Sequence, residues 1–278
     1  MDNAHPAVKS AYSILARYYD LQHSAFTLDV PMYLQAARDA AGRASPGQAA
    51  ASVVEVGCGT GRVLVPLVEA GHFVLGIDES EEMLSLARRR LDGLPRTSCE
   101  LLLGDATDPE WRGQSWPGRS RPEQFDLAIV ALNTFLHNLS RDDQLGMLRA
   151  MQAHLRPGGS LIVDLPPNDE MTYQPDKGEF ELEVQLVDPA TNTPVDKYVA
   201  STLFWSTQEQ LLHYRFEEHA PDGSVRIETT SFRMRHVFRY EMELLLLQSG
   251  FTSWHWYGDY DLSPYGEGSP RMIVFATR

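Results

Sequence analysis

The stretch "VVEVGCGTGRVLVPL", Val53 to Leu67, restricts more than any other what this chain can fold into. β-Branched residues lead into three glycines at alternate positions, Gly57, Gly59 and Gly61, and an apolar run at helical spacing leads out. A strand that stops at Gly57, turns and enters a helix brings backbone close to a ligand, because a side chain at these positions would block the approach. The same unit of strand, turn and helix is how an α/β sheet begins.

The rest of the chain continues in that way. Strands are expected at Val53 to Val56, Phe73 to Ile77, Glu100 to Leu103, Phe125 to Val130 and Ser160 to Asp164. Helices are expected between them near Arg62 to Ala70, Glu81 to Leu91 and Arg141 to His154, and this alternation means βαβ units around a doubly wound, mostly parallel sheet. Ser80 is placed to cap the second helix, with Glu81 and Glu82 in its first turn and Arg88, Arg89 and Arg90 in its last, the order a helix dipole favours. After Pro166 the period changes to two. "EFELEVQLV" puts Phe180, Leu182, Val184 and Leu186 on one face and glutamates and Gln185 on the other. Runs at Tyr198 to Trp205, Gln210 to His219 and Ser224 to His236 follow, so an antiparallel sheet with one wet face is expected. A helix from Tyr240 to Gln248, stopped by Gly250, and strands at Thr252 to Tyr257 and Met272 to Thr277 finish the main sheet. The division expected is a helical cap over 1–45, a core over 46–170 and 238–278, and an inserted β subdomain over 171–237. "QAARDAAGRASPGQAAAS" links cap to core.

Composition removes several function classes. The formal charge of −14 is spread along the 278 residues, and a negative surface repels a phosphate backbone, so no nucleic-acid partner is expected. The two cysteines, Cys58 and Cys99, form neither a CxxC pair nor a disulfide framework, and the nine histidines show no metal-ligand spacing, so no metal is expected. No stretch approaches the roughly 20 apolar residues of a membrane span, and no basic start precedes an apolar run. A soluble cytoplasmic protein without a membrane partner is the expectation.

Two ligand classes use a glycine turn of this kind. A dinucleotide needs GxGxxG, which this spacing breaks. Glu55, two residues before the first glycine, would repel a pyrophosphate and attract an ammonium, which favours a zwitterionic ligand. Asp78, ending the second strand in "VLGIDES", can accept both hydroxyls of a ribose, a feature NAD and S-adenosylmethionine share. Asp105, ending the third strand, is placed to accept an adenine amine.

Taken in order, these pieces resemble the class I S-adenosylmethionine-dependent methyltransferases. "VVEVGCGTG" looks like their first motif, "GIDESEEMLSLAR" their second, "LLLGDATD" their third, "FDLAIVALNTFLHNL" their fourth and "LRPGGSLIVDL" the segment around their fifth strand. The resemblance implies a seven-stranded Rossmann-like sheet with S-adenosyl-L-methionine as cofactor. It also implies that Gly57, Gly59 and Gly61 line the methionine, Asp78 binds the ribose, Asp105 and Ala106 flank the adenine and Met83 packs under it, with Cys58 and Glu79 in the same two motifs. "AYSILARYYDLQH" resembles the N-terminal lid helix of small-molecule N-methyltransferases, and a β-rich insertion after strand five is also found there. A nitrogen or an oxygen of a small-molecule acceptor is then the target, and a homodimer is left open.

Methyl transfer from a sulfonium is an in-line displacement, so the protein's task is alignment and exclusion of water. An amine must first lose its proton, and His137 in "NTFLHNL" is the candidate base. Asn133, nearer the strand tip, is a candidate to hold the methionine ammonium or shape the donor side. Tyr12 and Tyr19 are candidates to touch the substrate from the lid, Tyr260 and Arg271 to close the substrate side, and Trp111 or Trp116 to cover the adenine. The rival readings are an NAD-dependent oxidoreductase, undercut by the glycine spacing, Asp105 and "RPGG", and a cofactor-binding regulatory module without catalysis, disfavoured by the intact acids and glycines.

Overall fold

The computed structural model describes residues 6–45, 47–95, 98–108, 124–167 and 178–278, with side chains from Tyr12 onward in the first helix. Trp111 and Trp116 lie outside the described residues. The chain divides into two compact units, Met1–Phe26 with Tyr173–His236, and Thr27–Thr172 with Val237–Arg278.

The larger unit is the α/β sheet. Strands β1 (Ser52–Val56), β2 (Phe73–Asp78), β3 (Cys99–Leu103), β4 (Phe125–Val130) and β5 (Leu155–Leu165) run parallel, in the spatial order β5, β4, β1, β2, β3. The late strands β11 (Met272–Thr277) and β10 (Ser253–Tyr257) extend the β5 side antiparallel, which completes seven strands. Every residue of β4 is buried, as a strand covered on both faces requires. The strand order reverses between β1 and β4, the place where open α/β sheets take ligands at the carboxyl ends of their strands.

The helices of this unit are α2 (Val30–Ala44), α3 (Leu64–Glu69), α4 (Glu81–Arg90), α5 (Arg141–His154) and α6 (Arg239–Gln248). Ser80 caps α4 by accepting the Met83 N–H at 3.2 Å, as its sequence position predicts. Two boundaries differ from expectation. α3 begins at Leu64, because Arg62 is drawn into an ion pair with Asp29. β5 begins at Leu155, because Leu155 pairs with Phe125 and the register then jumps to Ser160 against Leu127, carrying Pro157–Gly159 as a bulge. α2 packs its small face, Ala36, Ala37, Ala40 and Ala41, into the main core. No helix among the described residues is long and apolar enough to cross a membrane.

The smaller unit consists of α1 (Pro6–His23) and a four-stranded antiparallel sheet, β6 (Glu181–Asp188), β7 (Thr193–Phe204), β8 (Glu209–His219) and β9 (Val225–Arg235) in sequential order. Tyr18 of α1 stacks on Phe216 of β8 with ring centroids 4.0 Å apart, and its hydroxyl donates to Glu218 at 3.0 Å. Lys197 is buried against this face, paired with Glu183 at 2.5 Å and 3.9 Å from the centre of the Tyr214 ring. Burial holds its pKa below the usual lysine value.

Two expectations are corrected here. The helical segment expected as one cap over 1–45 is split at Phe26 and Thr27: α1 joins the antiparallel sheet through Tyr18, while α2 belongs to the α/β core. β6 buries the apolar face its alternation implies only in part, through Leu186 against the cluster of Tyr18, Val195 and Phe216. It is an edge strand, its pairing slips between Leu182 and Val184, and both side chains are exposed.

Candidate functional site

The glycine turn is built on positive φ. Gly57, Gly59 and Gly61 have φ of 65°, 55° and 85°, a region L-residues with a Cβ rarely enter. A Cβ on Gly57 would also overlap the Thr134 side chain, which follows β4. The N–H groups of this turn point into the protein. Gly57 and Cys58 donate to the Ile77 carbonyl at 2.8 and 3.1 Å, and Gly59 donates to Asp78 Oδ2 at 2.8 Å. A pyrophosphate needs such donors turned toward it, so this turn is not wired as a phosphate cradle.

The turn instead borders a buried acceptor. Glu55 on β1 is 2% exposed, and its Oε2 meets no hydrogen-bond partner among the described residues. Burial pushes its carboxyl up to about 8, with Asp29 and Asp78 nearby adding to the rise and Arg62 opposing it. An orphaned carboxylate oxygen in that place requires a donor, and the ammonium of a methionine moiety supplies one. The fit to S-adenosylmethionine rests on this atom.

Along the tips of β2 and β3 stand Asp78, Glu79 and Asp105. Asp78 accepts from Gly59 N–H through Oδ2 and from Ser80 N–H at 2.9 Å through Oδ1, so it braces the turn and keeps a lone pair on each oxygen for hydroxyl donors. Burial raises its carboxyl above the ordinary aspartate value. Glu79 is raised as well, by burial first and then by Asp105 and Asp78. Asp105 is exposed and takes the Thr107 N–H and hydroxyl on Oδ1, both at 2.7 Å. This acceptor-rich rim suits the hydroxyls and amine of an adenosine. Met83 and Ala106 are buried beside it in sequence, on α4 and after β3. Cys58 belongs to the core: its Sγ fills space left by Gly76, 2.8 Å from where a Cβ there would stand. Burial raises its thiol pKa, so Cys58 offers a ligand backbone rather than sulfur.

Past β4, Leu132 and Asn133 both have positive φ, 38° and 27°, before the short 3-10 turn Thr134–His137. Asn133 Oδ1 accepts from Arg271 Nη2 at 3.2 Å. An amide held in this way turns its N–H groups away from Arg271, while its oxygen keeps a second lone pair. His137 closes the 3-10 turn, and burial depresses its imidazole to about 4, which leaves it neutral at physiological pH. Tyr12 and Tyr19 are on α1 in the smaller unit. Tyr18, between them in sequence, is the one that packs, while Tyr19 rests against His23 with centroids 4.6 Å apart.

The sequence reading missed three polar residues. Asp29, ahead of α2, binds Arg62 in two bonds of 2.6 and 2.7 Å, and Asp164 ends β5 wholly buried. Tyr33 on α2 is also fully buried, with a hydroxyl that meets no partner among the described residues. The available signals were an acid before "VP" at a helix start, an arginine directly after Gly61 and an acid inside the apolar run "LIVDL".

Residues 53–159 match the family model described as a methyltransferase domain. Over 114 residues the chain is 31% identical to the cypemycin N-terminal methyltransferase of a Streptomyces species, which covers 41% of this chain and 41% of that protein. The chain thus spans about two fifths of the length of the curated relatives it matches. Among solved structures, the CcbJ methyltransferase from Streptomyces caelestis superposes with a TM-score of 0.71 at 21% identity, covering 96% of this chain and 98% of that one. CalS10, an amino pentose methyltransferase from Micromonospora echinaspora solved with S-adenosylmethionine bound, gives 0.65 at 21% identity, covering 100% and 99%. Residues 53–159 are thus similar to a methyltransferase domain, and the chain shares its fold with methyltransferases of known structure.

Proposed function

We propose that this protein transfers a methyl group from S-adenosylmethionine to a nitrogen, or secondarily an oxygen, of a small molecule. The observation that carries the reading is the orphaned Oε2 of Glu55 beside a glycine turn whose N–H groups are already spent inside the protein. Such a turn suits an ammonium and not a pyrophosphate. The bound sulfonium supplies a methyl group that is already activated. Glu55 takes the ammonium, Asp78 and Glu79 the ribose hydroxyls, and Asp105 the adenine amine, with Met83 and Ala106 against the ring.

His137, neutral at pH 7, can take the proton that an ammonium substrate must lose before attack, and proton removal of this kind contributes on the order of a hundredfold or more. Nitrogen is favoured by the likeness to an N-terminal methyltransferase and to an amino pentose methyltransferase. Tyr12 and Tyr19 are assigned contact with the acceptor on the likeness of their helix to the lid of N-methyltransferases. Cys58 and Cys99, both buried and in no disulfide among the described residues, fit a reducing compartment, and a cytoplasmic location is part of the reading.

Thermal-shift titration of the purified protein with S-adenosylhomocysteine and with NADH tests the assignment. Stabilisation by S-adenosylhomocysteine alone is expected. Stabilisation by NADH alone would overturn it in favour of an oxidoreductase.

A further inference from the structure

The strand tips carry a second set of polar residues beyond the donor side. From β3 across β2 and β1 to β4 the tips bear Asp105, Asp78, Glu55 and Asn133, and the next two strands, β5 and β11, bring Asp164 and Arg271. Arg271 directly precedes β11, whose Met272 pairs with Leu165 of β5.

Asp164 is fully buried and both of its oxygens are engaged. Oδ1 accepts from Arg271 Nε at 2.8 Å and lies 2.7 Å from Nη2 in the ion pair, and Oδ2 accepts from the Tyr260 hydroxyl at 3.1 Å. The guanidinium is thereby fixed, and its Nη2 reaches Asn133 Oδ1. A guanidinium has five donors and no acceptor, so Asn133 turns its carbonyl to Arg271 and its Nδ2 away. Among the described residues, neither Asn133 Nδ2 nor Arg271 Nη1 has a protein acceptor. Non-glycine residues hold positive φ only where their surroundings impose it, and Leu132 and Asn133 do so in succession at this point.

We propose that Arg271 and Asn133 form an oxyanion-reading subsite for the methyl acceptor, so that the acceptor carries a carboxylate or phosphate near its reacting atom. This rests on the methyl-transfer reading above. Three features support it. Asn133 Nδ2 and Arg271 Nη1 are donors, so they match lone pairs and not a cation. They lie on the β5 and β11 side of the glycine turn, away from the row assigned to adenine and ribose. The Asp164 charge offsets that of Arg271, which makes the subsite selective for oxygen geometry rather than a general cationic patch.

The test uses Asn133→Asp, which is isosteric, leaves the Asp164–Arg271 pair in place and replaces the Nδ2 donors by an acceptor. Calorimetric titration of succinate and of inorganic phosphate into the protein saturated with S-adenosylhomocysteine should show millimolar binding of at least one of them. The variant should weaken that binding about tenfold or more, since a hydrogen bond to a charged group is lost. Its affinity for S-adenosylhomocysteine should stay within about twofold of the unsubstituted protein's, because no donor-side contact is removed. Failure of both ions to bind, or equal binding to the variant, would overturn the proposal. So would an about tenfold loss of S-adenosylhomocysteine affinity with unchanged binding of 5′-deoxy-5′-methylthioadenosine, which lacks the carboxylate, since the anion would then be the donor's. If the unsubstituted protein fails to bind S-adenosylhomocysteine, the methyl-transfer reading falls first and this proposal with it.

Discussion

Asp29 and Arg62 form a two-pronged ion pair, 2.6 and 2.7 Å, with both side chains withdrawn from solvent. It ties the start of α2 to the exit of the glycine turn, 33 residues apart in sequence. Arg62 is thereby kept out of α3, and the ligand-facing loop acquires a support from a helix the sequence reading had assigned to a separate cap.

Removing one partner takes from the other buried charge the counterion that it meets in two bonds. Asp29→Ala is expected to cost about 3–5 kcal/mol in unfolding free energy, measured by urea denaturation. Replacing the pair together, as Asp29→Leu with Arg62→Met, is expected to cost less than either single change. A double variant no better than the singles would mean that the pair does more than neutralise itself.

With Glu55 proposed as the partner of the ammonium, donor affinity is expected to depend on pH. Its folded carboxyl is raised to about 8, so at neutral pH it is largely protonated and must ionise to pair with an ammonium. Affinity for S-adenosylhomocysteine should tighten as pH rises from 6 and level off near 8, with about one proton released per ligand at pH 7. Calorimetry in buffers of different ionisation enthalpy measures that release, and Glu55→Gln should abolish it. The linked stability has the opposite sense: in the free protein this group's contribution is present at low pH and is lost as pH rises from about 4.5 toward 8.

Gly57→Ala meets two obstacles. A left-handed φ costs an alanine roughly 1–2 kcal/mol, and the new Cβ overlaps the Thr134 side chain. Loss of S-adenosylhomocysteine binding by an order of magnitude or more is expected. Adding Thr134→Ala should restore part of the melting temperature but not the full affinity, because the backbone strain remains.

For His137, burial sets the pKa at about 4, below the unfolded value near 6.5. The unfolded chain therefore takes up this proton first. The contribution of the neutral imidazole is complete above pH 6.5 and is lost as pH falls from there to about 4. As the base for an amine acceptor, His137→Gln should lower kcat about a hundredfold while leaving the Kd for S-adenosylhomocysteine unchanged. If kcat is unaffected, the histidine is a packing residue and the substrate reaches the enzyme already neutral.

Most of the α/β frame could be read from local pattern. α5 matches its expected bounds and α4 stops one residue short, because caps and charge order are local properties of the chain. The positions of Glu55 on β1, Asp78 at the end of β2 and Asp105 after β3 were also legible, since hydrophobic runs mark out those strands. What escaped was tertiary. The kinship of α1 with the antiparallel sheet depends on Tyr18 meeting Phe216, almost 200 residues away, and nothing in either segment announces the other. The exposure of β6 follows from its edge position and a slip in pairing, which alternation alone does not encode. The direction of the Asn133 amide is fixed by Arg271, 138 residues later, a contact that neither stretch of sequence announces.

The split between α1 and α2 also bears on how the chain may be cut. The smaller unit is assembled from two distant segments, so no continuous fragment holds it apart from the larger unit. A shortened version starting at Thr27 would keep Asp29, the glycine turn and every strand of the main sheet, yet strip from the other unit the helix that covers Phe216. Such a truncation separates donor capture from whatever the small unit does, and an amino-terminal tag or fusion acts first on that small unit.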